Sequence, residues 1–203
     1  MIDIPQIAMF LSVLLVSVSL HEMMHAYVAF RLGDDLAHSH GRISLNPFVH
    51  IDPYLTIVLP LVLLLLSQPP ILAAKPVPIN SSRIDGEEAG LAVVGIAGPL
   101  TNLALAFIFG ALLQVTSYGG VPLQIIELFV GINVSLFVFN MLPLPPLDGS
   151  RLLYAVAPES VRSVMRQIES YGIFGLIIIL MLAYPVIDPI LSTGRQFVLG
   201  LVL

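Results

Sequence analysis

Long runs of apolar residues constrain the fold of this chain more than any other feature of its sequence. Five such stretches stand out, and they cover residues 4–30, 54–66, 89–113, 125–142 and 171–187. Hydrophobic residues make up 57% of the chain and charged residues 10%, whereas a soluble domain has about 45–50% apolar and about 25% charged residues. Because a helix of about 20 residues crosses a bilayer, we expect an all-α, polytopic membrane protein with about four to six transmembrane helices.

The charge pattern and the lack of cysteine exclude several classes of function. The 13 acidic and 8 basic residues are scattered. They form no basic stripe of the kind that predicts nucleic-acid binding. With no cysteine in the chain, disulfides, iron–sulfur clusters and cysteine-ligated zinc are ruled out. Any bound metal must therefore use histidine and carboxylate ligands.

The motif that carries chemistry is His21-Glu22-Met23-Met24-His25, inside the first apolar stretch. Histidines four residues apart lie on one face of a helix, where both imidazoles can bind one metal ion. Two imidazoles and a carboxylate suit zinc in a tetrahedral site with one open position, and Glu22 can reach a metal-bound water. Ionisable residues are costly inside a bilayer and indicate function there, although a polar cluster that joins two helices is the alternative.

The third ligand has to come from the few acidic residues in or near the apolar stretches. Glu127 and Asp188 lie near the ends of such stretches and could reach an interface. Asp148 follows the prolines of residues 143–146, which must break the fourth helix and free backbone carbonyls at membrane depth. A carboxylate on a broken helix beside Gly149 is a good candidate for a zinc ligand.

The order of the motifs resembles that of a known family. HExxH in the first stretch is followed by GRISLNP, AKPVPIN, GIAGPLTN and FNMLPLPPLDGSR. Over about residues 18–154, the chain resembles the site-2 protease family of intramembrane zinc metalloproteases, and most of all its short branch without PDZ or CBS domains. The resemblance implies that His21, His25 and Asp148 bind one zinc ion and that Glu22 is the catalytic base.

The function implied by this resemblance is hydrolysis of peptide bonds in or near transmembrane segments of membrane proteins. Transmembrane proteins and the lipid bilayer are the expected partners, with no nucleic acid, while the identity of the substrate and the oligomeric state stay open. The alternatives are a metal transporter and a non-catalytic protein that binds membrane segments, each using the same His/Asp site. Replacing Glu22 would distinguish them, since only proteolysis needs a base.

We expect a single domain over residues 1–203, because membrane spans would use more than half of the chain. Its catalytic core is predicted at about residues 4–158, and a C-terminal helix and tail at residues 159–203. The last apolar run, residues 196–203, is too short to span a membrane.

The positions of His25 and Asp148 predict the topology. His25 lies near the C-terminal end of the first stretch and Asp148 just past the end of the fourth, so both reach one zinc ion only if these ends face the same side. One segment between them must then fail to cross, and the segment at residues 54–74 is short and contains Pro60. If it re-enters, seven of the eight basic residues lie on one side with only Arg195 opposite. The positive-inside rule then places the active site towards the cytoplasm.

Two asparagines are candidates for contact with the substrate. Asn102 shares a face of the third helix with Gly95 and Gly98, so a hydrogen bond between packed helices is an equally good explanation of it. Asn140 lies closer to Asp148 and, by the family pattern, would hold the substrate backbone or stabilise the oxyanion, with a structural role as the alternative.

The segment Lys75 to Asn80 is predicted to be extended beside the site. Its alternating prolines remove backbone donors, but Val77 and Ile79 keep theirs. A substrate segment that has unwound could therefore add to this edge as a strand. The remaining histidines, His38, His40 and His50, lie in a loop and are not expected to be metal ligands.

Overall fold

The structure, a computed structural model, describes residues 4–52, 75–115 and 119–203, and these residues form helices and connections without any β-strand. In chain order the α-helices are α1 Ile4–Arg31, α2 Leu36–Ser39, α3 Glu87–Val115, α4 Val121–Asn140, α5 Gly149–Val156, α6 Glu159–Ser170 and α7 Gly172–Val202. Two 3₁₀ helices, Pro47–His50 and Ser81–Arg83, lie between α2 and α3. Four helices, α1, α3, α4 and α7, are long and apolar enough to cross a membrane. The predicted all-α polytopic fold is confirmed.

Local sequence explains where the first and fourth apolar stretches end. After Arg31 the chain reaches Gly33, which has a φ of 102°, a backbone conformation that glycine adopts without steric cost. A glycine with positive φ commonly follows the C-terminus of a helix and ends it. α4 ends at Asn140, directly before the proline-rich turn at residues 143–146, as predicted. That turn includes a cis peptide bond between Pro145 and Pro146.

The last helix differs from the prediction. α7 is continuous over 31 residues, Gly172–Val202, with Pro185 and Pro189 inside it. The expectation of a short separate tail at residues 196–203 is therefore wrong. Each proline removes only one helical hydrogen bond, and such interruptions are tolerated in transmembrane helices because neighbouring groups satisfy the freed carbonyls.

The C-terminal ends of α1 and α4 face the same side, as the topological argument requires. His25 Nε2 in the last part of α1 lies 3.3 Å from Asp148 Oδ2, just beyond α4. α3 begins on this side too, since the N–H of Asp85 donates to the carbonyl of Leu32 at 2.8 Å. The segment at residues 54–74, which was predicted to re-enter, lies outside the described residues.

α3 is the central helix and packs against α1, α4, α5 and α7. Its buried residues are mostly small, which lets the backbones of neighbouring helices approach closely where no hydrophobic force drives them together. Gly95, Gly98 and Asn102 lie among them on one face, as predicted. The full buried set is Gly90, Ala92, Val94, Gly95, Ala97, Gly98, Pro99, Asn102, Ala106 and Gly110.

Candidate metal centre

Three side chains converge where α1 passes the turn that follows α4. His21 Nε2 is 3.0 Å from His25 Nε2 and 3.0 Å from Asp148 Oδ2, and His25 Nε2 is 3.3 Å from the same oxygen. A tetrahedral zinc ion with bonds of about 2.0–2.2 Å holds its ligand atoms about 3.3–3.6 Å apart. The three predicted ligands are therefore brought together at nearly the spacing that one zinc ion requires.

The hydrogen bond made by Nδ1 of each imidazole determines whether its Nε2 can bind a metal. His21 Nδ1 donates to Asn102 Oδ1 at 2.6 Å, and His25 Nδ1 donates to the carbonyl oxygen of Val94 at 2.7 Å. Because these oxygens only accept, each Nδ1 carries the proton and each Nε2 presents a lone pair. Two lone pairs and a carboxylate then face one another, and a cation between them relieves their repulsion.

Asp148 has a carboxylate oxygen that is available to bind a metal. Its Oδ2 is buried and receives no hydrogen bond from the described residues, although a buried carboxylate oxygen normally has a partner. The carboxylate of Asp148 is therefore directed at two imidazoles, and this donor set fits zinc.

A buried chain of hydrogen bonds holds His21 in place. Asn102 Nδ2 donates to Asn133 Oδ1 at 2.8 Å, and Asn133 Nδ2 donates to Ser17 Oγ at 2.9 Å. Both asparagines and Ser17 are 0% exposed, so the chain ties α3, α4 and α1 together in the interior. The prediction that Asn102 contacts the substrate needs correction, because its side chain is buried and already bonded at both ends. The alternative, a hydrogen bond between packed helices, is what the structure contains.

Two glycines make room for the ligands. A Cβ atom on Gly98 would lie 2.3 Å from His25 Nε2 and 2.5 Å from His21 Nε2, so any larger residue would occupy the space in front of both nitrogens. A Cβ atom on Gly149 would lie 2.4 Å from the carbonyl oxygen of Met141, so this glycine lets the chain fold back on the end of α4. The sequence indicated Gly98 only as a packing residue, and its role at the metal centre was missed.

A cavity of about 750 Å³ opens beside the three ligands. Glu22, which is half-buried, lines it beside His21. Asn140 lines the same cavity, and its Nδ2 donates one hydrogen bond to the carbonyl of Leu136 at 3.0 Å. Val77 and Ile79 line it from the other side. Of the predicted site residues, only Asn102 lies outside this cavity.

Residues 75–80, here called the extended segment after their predicted conformation, belong to no helix or strand, and Pro76, Val77 and Ile79 line the cavity. The backbone N–H groups of Val77 and Ile79 donate no hydrogen bond to any described residue. At the start of the segment, the N–H of Lys75 donates to the carbonyl of His50 at 2.9 Å, which joins the segment to the 3₁₀ helix Pro47–His50.

Two buried charged residues hold the extended segment against the end of α1. Asp34 Oδ2 accepts a hydrogen bond from the N–H of Asn80 at 2.6 Å. The guanidinium of Arg42 donates to the carbonyl oxygens of Lys75 and Pro76, and burial lowers its pKa while the charge of Glu22 opposes that effect. Neither residue was identified from the sequence, where only the GRISLNP motif marked the position of Arg42.

The other sequence-predicted candidates lie away from the metal centre. His50 is buried, and its Nε2 donates locally to the carbonyl of Ser44 at 2.9 Å. His38 packs against Phe30, and His40 bonds to its own helical turn, so none of the three joins the metal ligands. Glu127 and Asp188 line a different groove.

Comparison with known proteins agrees with this site. A model of peptidase family M50 matches residues 119–183. A Bacillus subtilis protein named "Putative zinc metalloprotease YwhC" is 40% identical over 203 residues, covering 93% of this chain and 88% of the relative. Two further relatives have names of the same form, "Putative zinc metalloprotease". Rip2 of Mycolicibacterium smegmatis is 28% identical and MJ0611 of Methanocaldococcus jannaschii 36% identical, over 86% and 66% of this chain.

The chain spans 66% of the length of Rip2 and 62% of that of MJ0611. No solved structure matches the chain. The metal named for these relatives is the one that the donor set of His21, His25 and Asp148 fits, and the cofactor is zinc.

We predict that Asn102→Ala weakens zinc binding without removing a ligand. The substitution frees His21 Nδ1 and leaves Asn133 without its donor, and loss of such an outer partner costs about 10–100-fold in metal affinity. Competition with a zinc chelator measures this. Asn140→Ala is the control, since Asn140 bonds neither histidine, and equal zinc affinity in the two variants would contradict the assigned role of Asn102.

Proposed function

The chain belongs to peptidase family M50, and from that premise we propose that it is an intramembrane zinc endopeptidase that hydrolyses peptide bonds in or near transmembrane segments of other membrane proteins. The observation that carries this proposal is the position of Glu22. It lines the cavity of the three ligands on α1, a helix long enough to cross a membrane. His21 precedes the end of α1 by 10 residues, or about 15 Å of helix. The site therefore lies at membrane depth.

The chemistry follows from the residues around this cavity. A zinc ion on His21, His25 and Asp148 supplies a Lewis acid that polarises a carbonyl and lowers the pKa of water. Glu22 accepts the proton of the attacking water and returns it to the leaving amine. Asn140 has a second amide N–H, beyond the one bonded to Leu136, that can donate to the oxyanion.

The extended segment gives the substrate a place to bind. A transmembrane helix has its carbonyls in internal hydrogen bonds and must unwind before water can attack. The N–H groups of Val77 and Ile79, which have no partner among the described residues, can donate to the backbone of an unwound segment that adds as a strand. Arg42 and Asp34 keep this edge beside the metal ligands, so the register of the bound segment decides which peptide bond is cleaved.

The active site is proposed to open towards the cytoplasm. The ends of α1 and α4 and the start of α3 lie on one side, together with the basic residues of the connections after α1 and α4. Positive charge accumulates on the cytoplasmic side of membrane proteins. Water would then reach the cavity from that side.

Substitution of Glu22 tests the enzymatic proposal. Glu22→Gln should reduce cleavage of transmembrane peptides by about 10²–10⁴-fold, since it removes the base and keeps the side-chain size. Zinc content should remain one per chain. Cleavage by purified protein and zinc by elemental analysis are measured together.

Glu87→Gln, at the exposed start of α3, is the control for this charge change. Zinc uptake into proteoliposomes that persists in Glu22→Gln, with no cleavage by the wild type, would favour the transporter alternative. Equal cleavage by wild type and Glu22→Gln would refute the assignment of the base.

The role of the extended segment is tested by removing its donors. Val77→Pro and Ile79→Pro should each lower kcat/KM by about tenfold, because each loses one backbone hydrogen bond to the substrate. Zinc content should not change. Val77→Ile and Ile79→Val keep the N–H groups and serve as controls, and full activity of the proline variants would rule out strand addition.

The absence of cysteine allows a direct test of orientation. Ser39→Cys lies at the end of α2 on the active-site side, and Gly119→Cys lies before α4 on the opposite side, both exposed. A membrane-impermeant maleimide should label Gly119→Cys in intact spheroplasts and Ser39→Cys only in inverted vesicles. The reverse pattern would place the site outside the cytoplasm.

A further inference from the structure

A second groove, of about 960 Å³, follows α4 between α1 and α7. Gln124 lines its far end, and Leu136 and Phe139 line its near end. Leu136 and Phe139 also line the cavity of the metal centre, so the two spaces adjoin at these side chains. From Gln124 to Phe139 α4 rises about 22 Å, which is most of the thickness of a bilayer core of about 30 Å.

Unpaired charges distinguish this groove from an ordinary lipid-facing surface. Within the described residues, three charged residues lie inside the membrane-spanning helices, away from their ends and from the metal centre: Glu127, Asp188 and Arg195. All three line this one groove. Their side chains make no ion pair or hydrogen bond with any described residue. Charges at membrane depth are costly and mark the paths of substrates when they face a cavity.

The charges alternate along the groove. α7 runs antiparallel to α4, because Gly194 lies against Val138 while earlier residues of α7 pack with residues beyond the end of α4. Asp188 therefore lies on the side of the metal centre, Arg195 lies level with the near end of the groove beside Val138, and Glu127 lies at the far end. Lipid tails offer none of these groups a partner, whereas a helix with polar side chains on one face does.

We propose that this groove binds the transmembrane helix of the substrate, and that Glu127 selects a helix with a basic side chain on the membrane side far from the metal centre. The proposal rests on the proteolytic function given above. Glu127 precedes Asn140 by 13 residues, or about 20 Å of helix. The basic residue should therefore lie about 13 helical residues from the segment that enters the metal centre.

The groove has the reach and the charge for this occupant. Its near end adjoins the cavity of the metal centre at Leu136 and Phe139, so a helix lying in it brings its end close to the metal ligands. With two carboxylates and one guanidinium, the groove carries a net negative charge, which favours a basic over an acidic partner. Arg195, two turns after Asp188 on α7, lies near the end of the groove beside Val138 and favours an acidic or polar residue at that end of the bound helix.

Photo-crosslinking in the Glu22→Gln protein tests binding apart from cleavage. The probes are synthetic leucine- and alanine-rich transmembrane peptides of about 25 residues, with one lysine moved stepwise along the sequence. Matched peptides carry glutamine or glutamate at the same positions. A photo-reactive residue replaces Ser135, which lines the groove, or Leu182, which is exposed on α7 outside it.

We expect crosslinking from position 135 and much less from position 182. Yield from position 135 should peak at one lysine position, about fivefold above the glutamate peptide, as for a partly exposed charge pair. Glu127→Gln should remove this peak. Glu87→Gln, which makes the same charge change outside the groove, should leave it. Zinc content of one per chain shows that each variant is folded.

Several results would overturn the proposal. If lysine, glutamine and glutamate peptides crosslink equally to the protein that retains Glu127, the proposal is refuted without any variant of Glu127. A lysine peak that survives Glu127→Gln would do so too, as would crosslinking of position 135 only to lipid or to a second copy of the chain. Failure of proteolysis in the wild type, with the lysine peak intact, would instead refute the proposed function and leave the groove as a helix-binding surface.

Discussion

The convergence of two imidazole lone pairs and a carboxylate is the interaction on which the rest of the structure depends. His21, His25 and Asp148 place three electron-pair donors within 3.3 Å of one another. In an apolar surrounding their mutual repulsion is weakly screened, so the arrangement is stable with a cation at its centre. The ligands come from α1 and from the turn after α4, and zinc therefore links two elements that are far apart in sequence. Metal binding and the packing of the helices are coupled through this link.

The helices are arranged to keep that centre rigid. α3 passes alongside the histidines with small residues, and its carbonyl at Val94 and its side chain at Asn102 accept the two Nδ1 protons. Asn102 in turn depends on Asn133 of α4, so one buried chain of hydrogen bonds connects all three helices around His21. Such a fully satisfied network is worth more in a low-dielectric interior than at a surface. The orientation of the ligands is thus set by the same contacts that hold the bundle together.

Much of this site could be predicted from the sequence, since its signals are local. The HExxH spacing gives one helical face, and the prolines of residues 143–146 end α4 directly before Asp148. The residues that the sequence did not reveal act through contacts between distant segments. Gly98 matters because α3 crosses in front of both histidines, and Arg42 matters because it meets the carbonyls of Lys75 and Pro76. No local sequence pattern encodes either of these two contacts. The length of α7 was mispredicted for the opposite reason. Pro185 and Pro189 locally favour a break in the helix, but the helical surroundings override that preference.

The separation between the groove and the metal centre has an energetic consequence. Unwinding a transmembrane helix breaks backbone hydrogen bonds that no water replaces in the bilayer, and this cost must be met before hydrolysis. Binding energy from parts of the substrate that do not react can be used for that purpose. In the proposed mechanism, a groove that pairs charges about 20 Å from the reacting bond supplies such energy and leaves the other end of the helix free to open. The extended segment would then offer the freed backbone new partners at Val77 and Ile79. The two proposals thus make recognition of the intact helix and binding of its unwound end separate tasks, assigned to two surfaces that meet at Leu136 and Phe139.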